Sequence, residues 1–415
     1  MRDKAIERLI GKEEQRQKRV INLIASENFV SPDVLRTLGS VFTNKYAEGY
    51  SHLRYYGGNE VVDELEDLVK ERALKLFKLS PKAWSVNVQP YSGSPANLAV
   101  YHALVPVGGK IMGMALDMGG HLTHGHRVSV TGKLWKQIPY GVDRKTERLD
   151  YGALLKLAKK EKPALIVAGY TAYSRIIDFK KFRKIADAVV YPESNRRGAI
   201  LMVDMSHFAG LVAGGAYPSP FPYVDVVTTT THKTLRGPRA ALIFARKSEI
   251  RNQKSETNSK FEIRNSKLSI AEAIDKAVFP GLQGGPHMNA IAAVGVALHE
   301  ASQPAFKKYA KQVVRNAKAL AEGLKKLGWR IVSGGTDTHL FLVDTFARGV
   351  SGKVASEKLE RKDIIVNKNM IPYDTRKPTD PSGIRLGTPA VTTRGMKEKD
   401  MARLARRIDQ ALKSA

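Results

Sequence analysis

The β-branched run Val224-Asp225-Val226-Val227 passes directly into Thr228-Thr229-Thr230-Thr231 and ends on His232-Lys233. Such a run reads as a buried strand, with the lysine just past its carboxyl end. Similar short apolar runs recur at Ile111 to Met114, Leu165 to Ala168, Ile200 to Val203 and Ala240 to Ala245. Helical spacing fills some of the intervals, as in Tyr151 to Lys160 and Lys180 to Val190. Strand–helix alternation predicts a largely parallel α/β sheet. In such a sheet ligands bind beyond the carboxyl ends of the strands.

At 415 residues the chain exceeds one ordinary core, so two domains are expected. Residues 1–45 read as an N-terminal arm, helical at its start. Residues 46–289 read as the large domain and open on the helical spacing of Glu60 to Leu79. Residues 290–415 read as a smaller α+β domain. It begins with helices from Ala290 to Gln303 and Ala305 to Leu327, followed by strands at Trp329 to Val332 and Leu340 to Val343. Within the large domain, residues 249–268 nearly repeat a Glu-Ile-Arg-Asn segment and are rich in Asn, Ser and Lys. That composition buries too little apolar surface to fold alone, so it reads as an exposed, mobile insertion.

There is no cysteine, which excludes disulfides and thiolate metal sites and fits a cytoplasmic protein. No apolar run reaches the roughly 18 residues of a membrane helix. The first 19 residues lack an apolar segment and carry both signs of charge, unlike a secretory or transit signal. The net charge of +28 is spread along the chain without a basic tail or finger spacing. It reads as a generally basic surface, and nucleic acid is not an expected partner.

A lysine at the mouth of an α/β sheet can form a Schiff base with a carbonyl, which is how enzymes hold pyridoxal phosphate (PLP). Such a site needs an acid for the pyridine nitrogen. Asp204 offers one at the exit of the strand ending in Val203, with His207 beyond it. Ser92-Gly93-Ser94-Pro95 precedes the helical run Leu98 to Leu104, with Ser94 fitting the cap and Pro95 the first helical position. It makes a credible phosphate cup. Three histidines in His121-Leu122-Thr123-His124-Gly125-His126 lack the clustered carboxylate of a metal site, and none is expected. His121 suits stacking on an aromatic ring, whereas His124 and His126 also fit a structural loop. Gly281-Leu282-Gln283-Gly284-Gly285-Pro286-His287 is too rich in glycine for a helix and offers further N–H donors. Arg385, between apolar neighbours, suits a substrate carboxylate or an internal salt bridge.

In order and over nearly the whole chain, these segments resemble the serine hydroxymethyltransferase family. Leu23-Ile24-Ala25-Ser26-Glu27-Asn28, Thr43 to Tyr50, Arg54-Tyr55-Tyr56-Gly57-Gly58 and Val366-Asn367-Lys368-Asn369 complete the set. The resemblance implies a fold type I PLP-dependent transferase, aspartate-aminotransferase-like, with a mostly parallel central sheet. It implies conversion of L-serine and tetrahydrofolate to glycine and 5,10-methylenetetrahydrofolate, on a homodimer with shared active sites or on a tetramer. By resemblance PLP is covalent on Lys233, with Thr230 and His232 beside it. Asp204 pairs with the pyridine nitrogen, His121 stacks on the ring, and His207 lies near the phenolic oxygen. Ser92, Gly93, Ser94 and, from the second subunit, Tyr46 and Gly285 hold the phosphate, while Ser174 touches the cofactor. Ser26, Tyr56 and Arg385 hold the serine carboxylate. Glu48 acts as acid and base, and it and Tyr56 come from the second subunit. Leu116, Gly120, Leu122 and Asn369 match folate-contacting positions.

Four departures from the family stand out: the insertion, Ser206 where alanine is common, Ala240-Ala241 where glycines are, and the net charge of +28. Two alternatives remain at this point. One is a folate-independent aldolase for β-hydroxy amino acids. The other is a basic RNA-binding protein on an inactive scaffold.

Overall fold

The protein is described by a computed structural model covering residues 1–191, 196–248 and 268–413. The expected insertion at 249–268 thus lies, but for Leu268, outside the described residues. Two compact units form. The larger contains residues 30–171 and 176–311; the smaller contains residues 1–29, 172–175 and 312–415.

The larger unit is built on seven strands: β1 (Trp84–Asn87), β2 (Lys110–Met114), β3 (Lys136–Tyr140), β4 (Leu165–Gly169), β5 (Ile200–Asp204), β6 (Val226–Thr230) and β7 (Ala241–Arg246). Their order across the sheet is β1-β7-β6-β5-β4-β2-β3. Only β7 runs against the others, pairing antiparallel with both β6 and β1. Every residue of β4, β5 and β6 is buried, as expected for strands covered on both faces. On one face Ile111, Leu165, Val167, Met202, Val226 and Ile243 pack against Ala96, Val100 and Leu104 of the helix Gly93–Leu104. The period of two that carries these residues to one side carries their neighbours to the other.

Register fixes the carboxyl edge of the sheet. Asp204, the last residue of β5, stands opposite Gly169 on one side and Thr228 on the other. Two residues beyond that pair, Thr230 ends β6 and the chain turns through His232 and Lys233.

The helix Met288–Ser302 belongs to the larger unit, although the change in pattern near Ala290 suggested a new domain. It is buried on nearly all sides, so its spacing carries no mark of which unit it serves.

The smaller unit has a four-stranded antiparallel sheet: β8 (Arg330–Ile331), β9 (Leu340–Asp344), β10 (Asn367–Asn369) and β11 (Gly383–Gly387), in the order β8-β9-β11-β10. Phe341, Val343, Ile384 and Leu386 meet Leu404 and Ile408 of the helix Glu398–Lys413 beneath it. The N-terminal helix Lys4–Arg19 buries no residue, but the strand Ile21–Asn22 after it pairs in parallel with Ile364–Ile365. Among the described residues no helix is long and apolar enough to cross a membrane.

Candidate functional site

Asp204 is buried, and its carboxylate is bonded on every side. Oδ2 accepts from Asn97 Nδ2 at 2.9 Å and lies 3.2 Å from His124 Nε2, while Oδ1 accepts from the backbone N–H of Ser206 at 3.0 Å. Burial alone would raise this carboxyl. The His124 bond and the electrostatic pull of His124, His121 and Lys233 around it outweigh burial and hold the acid far below the usual carboxylate range. Asp204 is therefore an anion throughout the working range of pH. It does not cap the next helix, which begins at Ala209.

His124 and Asn97 were not singled out by function in the sequence. Asn97 lies on the buried face of Gly93–Leu104 and ties two strands together, since Thr228 Oγ1 donates to its Oδ1 at 2.7 Å. Its signal is a buried amide among Ala96, Ala99 and Val100. His121 and His124 are joined by a turn, the N–H of His124 donating to the His121 carbonyl. His121 Nδ1 lies 2.7 Å from Thr123 Oγ1, and Thr123 in turn accepts from Asn97. The histidine cluster is thus wired to Asp204 through two routes.

The cup at Ser92 forms with one correction. Ser92, in extended conformation (φ −164°, ψ 177°), is the cap, and the helix begins at Gly93. Ser94 and Pro95 are already inside the first turn, where a missing N–H costs nothing. The Ser92 side chain makes no capping bond, which leaves the first-turn N–H groups to an anion. Gly93 must be glycine for close approach: a Cβ there would meet Thr230 Cγ2 at 2.7 Å. Ser206 takes part as well, its Oγ accepting from the N–H of Thr230 at 3.0 Å.

The turn that carries Lys233 is stapled at both ends. Thr231 Oγ1 donates to Pro238 O at 2.5 Å, and Thr234 Oγ1 donates to the carbonyl of the buried His207 at 3.0 Å. His232 is largely buried, and its Nδ1 has no hydrogen-bond partner among the described residues. Burial, with Lys233 and Arg239 adding, pushes it down to about 3, so it is neutral.

A second cluster in the same unit joins Tyr46, Glu48 and Tyr56. Tyr46 OH donates to Glu48 Oε1 at 3.1 Å and Tyr56 OH to Oε2 at 3.0 Å, with the two rings edge to face. Gly285 lies against the Tyr46 ring, where a Cβ would come within 2.9 Å. The turn Ala277–Leu282 is interrupted at Phe279, which is extended (φ −134°, ψ 128°), and the glycine-rich loop runs on from it to His287, ahead of the helix Met288–Ser302. Gln283 binds this loop to the segment between β1 and Ser92, accepting from Tyr91 N and donating to Gln89 O. Leu116 and Leu122 are exposed, and Gly120 is buried close to the Met114 carbonyl.

The remaining predicted residues lie in the smaller unit. Arg385 is buried on β11, its Nε donating to Asn367 Oδ1 at 3.0 Å. Burial brings its guanidinium down to about 10, still protonated at neutral pH. Asn369 donates to Met370 O. The segment bearing Ser26 packs on β11, the N–H of Gly387 donating to Leu23 O at 2.7 Å. Ser174 Oγ lies 3.0 Å from Ser333 Oγ and donates to Gly335 O.

A mostly parallel sheet with a buried acid, a lysine turn and an open helix N-terminus at its carboxyl edge defines a fold type I PLP-dependent transferase. The family model described as Serine hydroxymethyltransferase matches residues 1–408. The chain is 52% identical to the serine hydroxymethyltransferase of Koribacter versatilis (strain Ellin345) over 411 residues, 99% of this chain and 89% of that protein. It is also 52% identical to that of Acidobacterium capsulatum over 403 residues, 97% of this chain and 87% of the relative. The chain belongs to the serine hydroxymethyltransferase family.

Proposed function

We propose that this protein interconverts L-serine plus tetrahydrofolate and glycine plus 5,10-methylenetetrahydrofolate, with PLP held by Lys233. The observation that carries this reading is Asp204: a buried carboxylate kept charged at the sheet edge where the Lys233 turn begins. The residues fit the cofactor's chemistry. The helix opening at Ser92, Gly93 and Ser94 suits a phosphate, and Asp204 suits a protonated pyridine nitrogen. When bound, PLP supplies the electron sink for the pair left at Cα when the hydroxymethyl carbon departs.

The chain's own groups do the rest. Lys233 would provide the amine that holds PLP. Asp204 stays ionised, and the neutral His232 adds no competing cation beside Lys233. His121 would stack on the pyridine ring of bound PLP, and Ser174, His207 and Thr230 would contact the cofactor. Arg385 presents a fork to the serine carboxylate, aided by Ser26 and Tyr56. Glu48 moves a proton at the serine hydroxyl oxygen. Leu116, Gly120, Leu122 and Asn369 receive the folate.

A homodimer is part of the proposal, with Tyr46, Glu48, Tyr56 and Gly285 serving the second subunit's site. Its support is the apolar surface left on one chain, where Tyr46, Leu53, Tyr55, Val128 and Leu282 are all exposed.

The test is the visible spectrum of the purified protein with PLP, before and after glycine and then tetrahydrofolate. The expected result is a lysine-bound cofactor band, replaced by a strongly red-shifted band only when both ligands are present. A cofactor band indifferent to folate would overturn the folate step, and absence of any cofactor band would overturn the whole reading.

A further inference from the structure

We infer that Arg54 is the positioning residue for Glu48, acting on the backbone to either side of it. The inference rests on the acid–base role proposed for Glu48. Arg54 Nη1 donates to the carbonyls of both Ala47 and Gly49, at 3.1 and 2.8 Å, the residues immediately before and after Glu48. The same guanidinium is pinned from behind. Nε donates to Asp63 Oδ1 at 2.8 Å and Nη2 to Glu66 Oε2 at 2.6 Å. The Arg54 side chain is only 3% exposed, and Glu66 is fully buried.

The carbonyl of Glu48 itself accepts from the N–H of Tyr55, so three successive carbonyls in this stretch are claimed. Gly49 has φ +100°, and a Cβ on it would lie 2.2 Å from Leu53 O, which leaves the hairpin little freedom. Its far side is held too: Gln89 Nε2 donates to Gly49 O and Glu66 Oε2. Among the described residues, the carboxylate of Glu48, by contrast, is held by two phenol hydroxyls on exposed side chains. The rigid part of its setting is therefore the backbone, and the backbone is set by Arg54.

A planar fork with donors on three nitrogens meets these four acceptors, which a lysine cannot reproduce. Displacing an acid–base group by even about 1 Å costs on the order of 100-fold in rate.

The experiment is a double-mutant cycle between Arg54→Lys and Glu48→Gln in the PLP-loaded full chain, with kcat and KM for serine measured with tetrahydrofolate. Arg54→Lys is expected to lower kcat by roughly 10- to 100-fold while moving KM for serine less than about threefold. In the Glu48→Gln background the same change should cost less than about twofold, because its target is already gone. Full additivity, with Glu48→Gln impaired, would overturn the Arg54 assignment and leave Glu48's role standing. A fully active Glu48→Gln would remove both. Should Arg54→Lys fail to fold, Asp63→Asn loosens one anchor of the fork and takes its place in the cycle with the same two outcomes.

Discussion

Asp204 Oδ2 lies 3.2 Å from His124 Nε2, and both side chains are buried. A histidine 80 residues upstream thus helps to keep charged the acid on which cofactor chemistry depends. Replacing Asp204 with Asn keeps an oxygen toward Asn97 and His124 but removes the charge and turns an NH2 group onto the Ser206 N–H. Turnover with serine and tetrahydrofolate is expected to fall at least 100-fold, about 2.7 kcal/mol of barrier.

The same pairing predicts a pH dependence of stability. The folded acid titrates well below its unfolded value of about 3.9, so its stabilisation is complete above that value and is lost as pH falls below it. Asp204→Asn should melt lower than the parent at pH 7, and the gap should begin to narrow as pH falls below about 4. Thermal unfolding followed by circular dichroism at pH 3 to 7 measures this. A gap independent of pH would show that the charge is not what stabilises.

Gly93→Ala should weaken PLP binding roughly tenfold, about 1.4 kcal/mol, because the new Cβ displaces Thr230 or the helix opening. Adding Thr230→Ser removes the obstructing methyl and should restore most of the affinity. Equilibrium dialysis of PLP on both variants decides it. No recovery in the double variant would mean that the clash lies elsewhere.

Arg385→Lys keeps a positive charge but loses the fork. The expected result is a serine KM raised about 10- to 100-fold with a smaller change in kcat, read from steady-state kinetics. A kcat loss without a KM change would place Arg385 outside ground-state carboxylate binding.

Asp275 gives an opposite sign to Asp204. Burial lifts its carboxyl to about 6, against the hydrogen bond from Asn87 and the attraction of Lys70, with Glu66 adding to the rise. Its folded value exceeds its unfolded value, so it lowers stability progressively as pH climbs from about 4 to 6 and fully above that. Asp275→Asn, which still accepts from Asn87, should raise stability by on the order of 1–3 kcal/mol at pH 7.5 and not at pH 4. Melting curves at the two values test it.

The parts of this fold legible in the sequence are those with one dominant cause. Leu165 to Ala168 and Ile200 to Val203 are strands because both faces are covered, and an uninterrupted apolar run has few other places to go. Lys233 and Asp204 were visible because each ends such a run. Where two causes compete, the reading slips. Ser94-Pro95 is a fair helix opening by type, but Gly93 already satisfies helical geometry and the true cap lies two residues back. The pairing of His124 with Asp204 joins residues with no common periodicity, and only the packing of separate segments reveals it. Arg54 and Asp275 belong to the same category. Their acceptors, Ala47 O and Gly49 O for one, are backbone atoms that no residue type announces.

The pairing of Ile21–Asn22 with Ile364–Ile365 imposes an order on synthesis. The first strand of the smaller unit leaves the ribosome long before its partner exists, and the entire seven-stranded sheet is translated in between. At roughly 5–20 residues per second, the amino-terminal segment waits on the order of 20–70 seconds for the strand that will receive it. During that interval Ile21 and Leu23 have no native cover, and the nascent chain exposes apolar side chains that the folded protein packs away.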